Sequence, residues 1–242
     1  MSVSTVTRQE SLSRDAPVRY KRVYLWHWPI RAMHWIAAAS VLTLIVTGFY
    51  IGGPYFMTSG SATDHFLMGR VRFVHFTAAG VLVATAILRT YWLFMGNKFE
   101  RWRALFPFHV RDWVNMWRVV RAYMFVKPHE APQYMGHNPI QQLSYTGIYT
   151  LALLQAVTGF YLYGLANTGG FFFMLFGWVG PLLGGAQVAR FVHHVLVWFW
   201  LIFLPVHVYL TIRADVLHKE SRVSSIISGE RYVRADVDFV DD

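Results

Sequence analysis

The sequence predicts an all-α integral membrane protein, a four-helix bundle with both termini in the cytoplasm. Three observations carry that expectation. Hydrophobic residues make up 55% of the 242 positions and charged residues only 14%, against about 25% charged in an ordinary soluble domain. Four segments stay apolar over the roughly 20 residues a spanning helix needs. The polar stretches between them alternate between many and few basic residues, as retention of positive charge in the cytoplasm requires.

In chain order, residues 1–22 form a polar cytoplasmic tail that is expected to be weakly ordered. A membrane domain over 23–234 follows. Its first span, about 33–52, is read from HWIAAASVLTLIVTGFYIG. That run is too long, and begins too far into the chain, for the apolar core of a cleavable signal. The second span, about 72–96, has Arg89 as its one charge from Phe73 onward. In the loop beyond it, HVRDWVNMWRVVRAYMFV (109–126) sets Trp113, Trp117, Val120 and Met124 on one helical face. Arg111, Asn115, Arg118 and Arg121 lie largely on the other, the pattern of an interfacial helix resting on lipid or a neighbouring subunit. The third span, about 141–165, follows Asn138, which can cap it, and Pro139, which suits a first helical position. The apolar stretch GGFFFMLFGWVGPLLGG (169–185) holds six glycines and a proline, so a re-entrant or interfacial loop is expected there rather than a fifth span. The fourth span, about 187–213, contains RFVHHVLVWFWLIFLPVHVYL, and an acidic tail, 235–242, closes the chain. The last dozen residues, like the first 20, read as weakly ordered.

Of the 22 lysines and arginines, all but Arg70, Arg72 and Arg190 fall in the N-terminal tail, the loop between spans two and three with its flank, or the C-terminal tail. Those three regions are therefore assigned to the cytoplasm. The formal charge of +9 is interleaved with apolar spans instead of being gathered on a soluble face, so it reads as topology and no nucleic-acid partner is expected. Cysteine is absent. Its absence excludes disulfides, thiolate-held iron–sulfur clusters, cysteine-bound zinc and covalently attached c-type haem in this chain.

An ionisable side chain inside a span is expensive and usually functional, which directs attention to the histidines. From His193 to His207 is fourteen residues, about 1400° of helical rotation and about 21 Å of rise, so the two face one way at opposite depths. His194 points about 140° away from His207. His34 opens span one at the cytoplasmic end, and His75 opens span two at the outer end. Two levels result: an outer pair, His75 and His193, and an inner pair, His34 and His207. Two imidazoles from facing helices at one depth are what a six-coordinate haem iron requires, and iron with both axial positions filled is suited to electron transfer. Gly48, fourteen residues after His34, offers bare backbone at the outer level for a haem edge. Arg89, fourteen after His75, places a cation at the inner level. Arg31, Arg72 and Arg190 each precede a proposed ligand by three residues. These four arginines are candidate partners of haem propionates, snorkelling at a span end being the competing reading of Arg31, Arg72 and Arg190. His27, His65, His109, His129 and His218 lie in polar or interfacial stretches and read as solvated. A proton relay in a transporter or a haem-free anchor is the competing reading of the histidines. Zinc lacks a completing His spacing or carboxylate.

The segments RAMHWIAAASVLTLIVTGFYIGG, FLMGRVRFVHF, LRTYWLFMGN, GHNPIQQLSY and HVYLTIRADVL, within a stretch from about Val23 to Arg234, resemble the b-type cytochrome subunit of membrane-bound uptake [NiFe]-hydrogenases. Formate dehydrogenase gamma subunits are more distant relatives on the same scaffold, without GHNP. The resemblance implies a multi-pass protein of the bacterial cytoplasmic (inner) membrane, partnered by the small and large hydrogenase subunits. It implies two haem b groups, with His34, His75, His193 and His207 on the family's ligand positions and quinone as electron acceptor. It also sets His137, the histidine of GHNP, near the inner haem as a candidate quinone-site residue, whereas its local reading is an accident of the turn before the third span. The WHWP before span one departs from the usual pattern, and His27 within it is set aside in favour of His34. Another outward-facing dehydrogenase, such as formate dehydrogenase, is the alternative partner.

Overall fold

The computed structural model describes residues 19–56, 60–61, 65–107, 110–124 and 132–241. The tail before residue 19, and with it Arg8 and Arg14, lies outside the described residues, as do His109, Lys127 and His129. Four long helices dominate: α1 (Trp28–Gly52), α2 (Leu67–Met95), α5 (Pro139–Gly164) and α8 (Ala186–His218). Shorter helices connect them: α3 (Trp102–Leu105) and α4 (Val110–Met124) before α5, α6 (Phe171–Phe176) and α7 (Val179–Leu183) before α8, and α9 (Arg222–Ser228) after it. Strand β1 (Tyr20–Tyr24) pairs antiparallel with β2 (Glu230–Arg234), Tyr20 opposite Arg234 and Tyr24 opposite Glu230.

Helices α1, α2 and α8 are long and apolar enough to cross a membrane, with mean hydropathy of 1.8, 1.8 and 2.1 over their most apolar windows. They bury only 17%, 6% and 6% of those windows within the protein. Side chains such as Leu42, Val46, Phe73, Ile87, Phe199 and Ile202 point outward. Apolar surface on that scale is incompatible with water and matches a lipid surround. Helix α5 is of similar length but more polar, carrying Gln142, Ser144, Thr150, Gln155 and Thr158. Its hydroxyls are bonded inside the helix: Ser144 donates to the Ile140 carbonyl at 2.9 Å, Thr150 to Thr146 at 2.9 Å and Thr158 to Leu154 at 2.7 Å. Asn138 caps it in a reciprocal box with Gln141, each side chain accepting from the other's backbone N–H at 2.9 Å.

The helices pack as two pairs, α1 along α2 and α5 along α8, and the pairs meet through α1 and α8. One end of the packed helices is closed by a small core of Leu25, Phe99, Met135, Val233 and Phe239, drawn from both ends of the chain and from the segments flanking α3 and α5. The other end is closed by Tyr161, Val179 and Ala189. There the glycine-rich stretch folds into α6 and α7, and Gly184 and Gly185, at φ +89° and +113°, make a turn into α8 that L-residues resist.

The C-terminal residues, read from composition as weakly ordered, are instead strapped to the segment before α5. Arg231 donates to the carbonyls of Tyr134 and Met135 and to the Glu220 carboxylate. Asp241 accepts from the N–H groups of Met135 and Gly136 at 2.6 and 2.8 Å. Composition misleads here because the charges bond to backbone groups and to one another rather than to water.

Candidate functional site

Helices α1 and α8 bring His34 and His207 together, with ring centres 6.4 Å apart and planes at 44°. Phe203, one turn before His207, stacks on its ring at 5.3 Å and 22°. Trp35 meets His34 edge-on at 5.1 Å. The His34 Nδ1 atom is buried without a hydrogen-bond partner among the described residues, which is costly unless the ring has another use. Two imidazole–metal bonds of about 2 Å each, with the ring radii added, span about 6 Å between ring centres. The observed separation fits a single metal ion held between these rings.

His75, in the first part of α2, and His193, in the first part of α8, lie at the opposite level, each bonded to a threonine of a neighbouring helix. The Thr47 hydroxyl sits 2.8 Å from His75 Nδ1 and the Thr158 hydroxyl 2.9 Å from His193 Nδ1. The Gln155 side-chain amide nitrogen lies 3.2 Å from both His193 Nε2 and the His193 carbonyl. Both rings rest on glycines: a Cβ on Gly48 would stand 3.4 Å from His75 Cε1, and one on Gly159 would stand 3.1 Å from His193 Cε1. Bare backbone against an imidazole and a hydroxyl on its Nδ1 are features that fit an axially ligated haem, which at His193 would take the place of Gln155 on Nε2. His194 turns to another neighbour. Its Nδ1 donates to the Arg190 carbonyl at 2.9 Å and its Nε2 packs on Gly52 of α1, where a Cβ would approach within 2.4 Å.

The four arginines are placed differently from one another. Both terminal nitrogens of Arg89 donate to the Glu100 carbonyl at 3.2 Å. Arg31 donates to the Ile227 carbonyl, while its Nε is buried and unpaired among the described residues. Arg190 donates to the Gln187 side chain at 2.9 Å, and Arg72 is exposed.

His137, just ahead of α5, is buried beside Trp26, ring centres 5.1 Å apart, and its Nε2 lies 3.0 Å from the Tyr145 hydroxyl. Burial, reinforced by Arg89 and Arg231, pushes its pKa down to about 3, so it is a neutral hydrogen-bonding group. Nearby, His27 is not merely solvated. Its backbone N–H and its Nδ1 both bond to the fully buried Glu100 carboxylate, at 2.6 and 3.0 Å. Burial works against that charge, but the bonds from His27, Trp92 and Asn97 hold the carboxyl below its ordinary range. Sequence reasoning passed over Thr47, Thr158, Gln155, Tyr145 and Glu100. The signal available for the two threonines was that each directly precedes a glycine on a histidine-facing helix.

Apolar helices that expose their side chains, two of them bringing His34 and His207 face to face, are features of a membrane cytochrome of the b type, the class that holds haem without covalent attachment. Residues 25–229 match the model of the prokaryotic cytochrome b561 family, and the chain belongs to that family. It is 39% identical to the probable Ni/Fe-hydrogenase B-type cytochrome subunit of Rhizobium leguminosarum bv. viciae, over 93% of this chain and 97% of that one. The protein of the same description in Azotobacter vinelandii is also 39% identical, over 97% of both chains. The probable Ni/Fe-hydrogenase 1 B-type cytochrome subunit of Escherichia coli (strain K12) is 30% identical, over 86% of this chain and 90% of that one.

Proposed function

We propose that the chain is the membrane-anchoring di-haem cytochrome b of an uptake [NiFe]-hydrogenase, carrying electrons from the iron–sulfur clusters of the hydrogenase small subunit to quinone. The observation that carries this reading is the 6.4 Å separation of the His34 and His207 rings, together with relatives described as hydrogenase B-type cytochrome subunits. Four helices form the bundle. The polar side chains of α5 are compatible with a fourth span because its hydroxyls bond to carbonyls of their own helix. The excess of Lys and Arg assigns the end carrying β1 and β2 to the cytoplasm of a bacterial inner membrane.

His34 and His207 would hold the inner haem and His75 and His193 the outer one, at levels separated by about 21 Å along α8. Haem bound between two imidazoles supplies a one-electron carrier with no open coordination position. The imidazoles hold each group at a fixed depth, and the apolar walls keep water from the path. Arg31, Arg72, Arg89 and Arg190 stand as candidates to pair with propionates. His137 and Tyr145 lie at the inner level as hydrogen-bonding groups for a quinone carbonyl. With a pKa of about 3, His137 orients a quinone and is a poor proton store. Hydrogen is split in the partner's large subunit, not here.

Helix α4 supports the membrane setting. Asp112, Asn115 and Val119 face the protein and are buried, while Val110, Trp113, Trp117 and Met124 are exposed. A helix that turns polar residues inward and tryptophans outward is at rest on a lipid interface, with Arg111, Arg118 and Arg121 beside the headgroups.

A pyridine haemochrome assay on the purified complex, with metal analysis of what co-purifies, tests the reading. About two haems b per chain and a nickel-containing partner are expected. Molybdenum or tungsten in place of nickel would assign the chain to another dehydrogenase, and a protein without haem would sink the proposal.

A further inference from the structure

The pentapeptide Val-Thr-Gly-Phe-Tyr occurs twice, at residues 46–50 and 157–161. The first copy lies on α1 and meets His75 of α2; the second lies on α5 and meets His193 of α8. The two meetings have one geometry. In each, the glycine presents bare backbone to the imidazole Cε1, and the threonine hydroxyl lies 2.8 or 2.9 Å from Nδ1. In each, that hydroxyl donates to the carbonyl four residues back, Thr47 to Thr43 at 2.6 Å and Thr158 to Leu154 at 2.7 Å.

A hydroxyl has one proton to donate. With it committed to the helix carbonyl, the oxygen can only accept from the imidazole, so Nδ1 carries the ring proton and Nε2 the lone pair. At His193 a second contact requires the same assignment. The Gln155 group facing the His193 carbonyl must be the NH2, since an amide oxygen there would oppose another oxygen. That NH2 also faces Nε2, which therefore carries the lone pair rather than the proton; it is the lone pair that would bind iron, so Gln155 must release it in the haem-loaded protein.

We infer that Thr47 and Thr158 are positioning residues that fix His75 and His193 in the Nδ1–H tautomer and thereby tune the potential of the one haem these histidines share. The inference rests on the function proposed above. An Nδ1–H bonded to an oxygen makes Nε2 a more basic ligand, which favours the ferric state and lowers the potential. Because the pockets are copies of one motif, the two threonines act on a single haem from opposite sides, and the His34/His207 level serves as an internal reference.

The test is a potentiometric titration of the haem-loaded complex, followed at the haem absorption bands, for Thr47→Val, Thr158→Val and the corresponding Thr→Ser variants. Each Val variant is expected to shift the same haem toward its ferrous form by about tenfold, which is about 59 mV for one electron. The double variant shifts it further, the Ser variants match the parent, and the other haem does not move. Thr→Ala reports the same loss of the hydroxyl for any Val variant that fails to assemble. Unchanged potentials, Val variants that shift different haems, or Ser variants that shift as far as Val overturn the inference. A parent complex without haem overturns the proposed function instead.

Discussion

The imidazole of His34 on α1 faces that of His207 on α8 with 6.4 Å between ring centres, at a level where the two helix pairs touch. His207→Ala is therefore expected to remove one haem of two and abolish quinone reduction, leaving the partner's dye-linked hydrogen oxidation intact. His194→Ala is expected to retain both haems, since His194 packs on Gly52 and bonds to the Arg190 carbonyl. Haem content by pyridine haemochrome decides; two haems in the first variant, or one in the second, would contradict the assignment.

The two glycines under the other histidines differ in tolerance. A Cβ at Gly159 would stand 3.1 Å from His193, tighter than ordinary contact, whereas one at Gly48 would stand 3.4 Å from His75. Gly159→Ala should therefore lower occupancy of the His75/His193 level more than Gly48→Ala. Valine at either position should empty it, at an overpacking cost of about 1–3 kcal/mol. Haem stoichiometry and melting temperature of the four variants rank the effect.

His137 makes stability depend on pH in a defined window. Its pKa is depressed from 6.5 to about 3 in the folded protein, so between those values the unfolded chain binds a proton that the folded one does not. Stability from this group is complete above 6.5 and falls as the pH drops toward 3, by about 1.4 kcal/mol per unit. The loss in melting temperature from about pH 7.5 to about pH 5 should be smaller in His137→Gln than in the parent, the window being the one set by linkage. Equal losses would show that His137 is not the group responsible.

The absence of cysteine makes the face of α4 simple to probe in the isolated chain. A nitroxide on Trp117→Cys, in lipid nanodiscs, should be more accessible to oxygen than to a water-soluble relaxing agent. The reverse would place this face in water and remove the lipid contact.

What could be read from residues alone was whatever followed a helical period. Rotation by 100° per residue separated His194 from His193 and His207, and the positions of His34 and His207 at the ends of their spans set those two level. Contacts between segments distant in sequence were not legible. His27 looked solvated because its partner, Glu100, lies 73 residues away. The apolar period likewise says nothing of Thr47 and Thr158, whose role depends on which helix lies opposite. The polarity of the final residues suggested disorder for a similar reason: Asp241 and Arg231 find their partners in backbone groups, which composition does not display.

Arg231 makes the last of these points measurable. Its side chain is almost fully buried, donates to the carbonyls of Tyr134 and Met135, and pairs with a Glu220 carboxylate of equal burial that Arg222 also reaches at 3.1 Å. Burial opposes the Glu220 charge, yet the two arginines hold its carboxyl below the ordinary range. Arg231→Met would leave that carboxylate one partner and free the backbone two residues before His137. A loss of about 3 kcal/mol is expected, the lower end for breaking a buried pair. Adding Glu220→Met should restore part of it, because the stranded charge is gone, but not all, because the Tyr134 and Met135 carbonyls still lack their donor. Melting of the two variants beside the parent measures the recovery. Quinone reduction should stay slowed in the double variant, since the chain leading into His137 remains unstrapped; full recovery of both would mean that Arg231 serves only to neutralise Glu220.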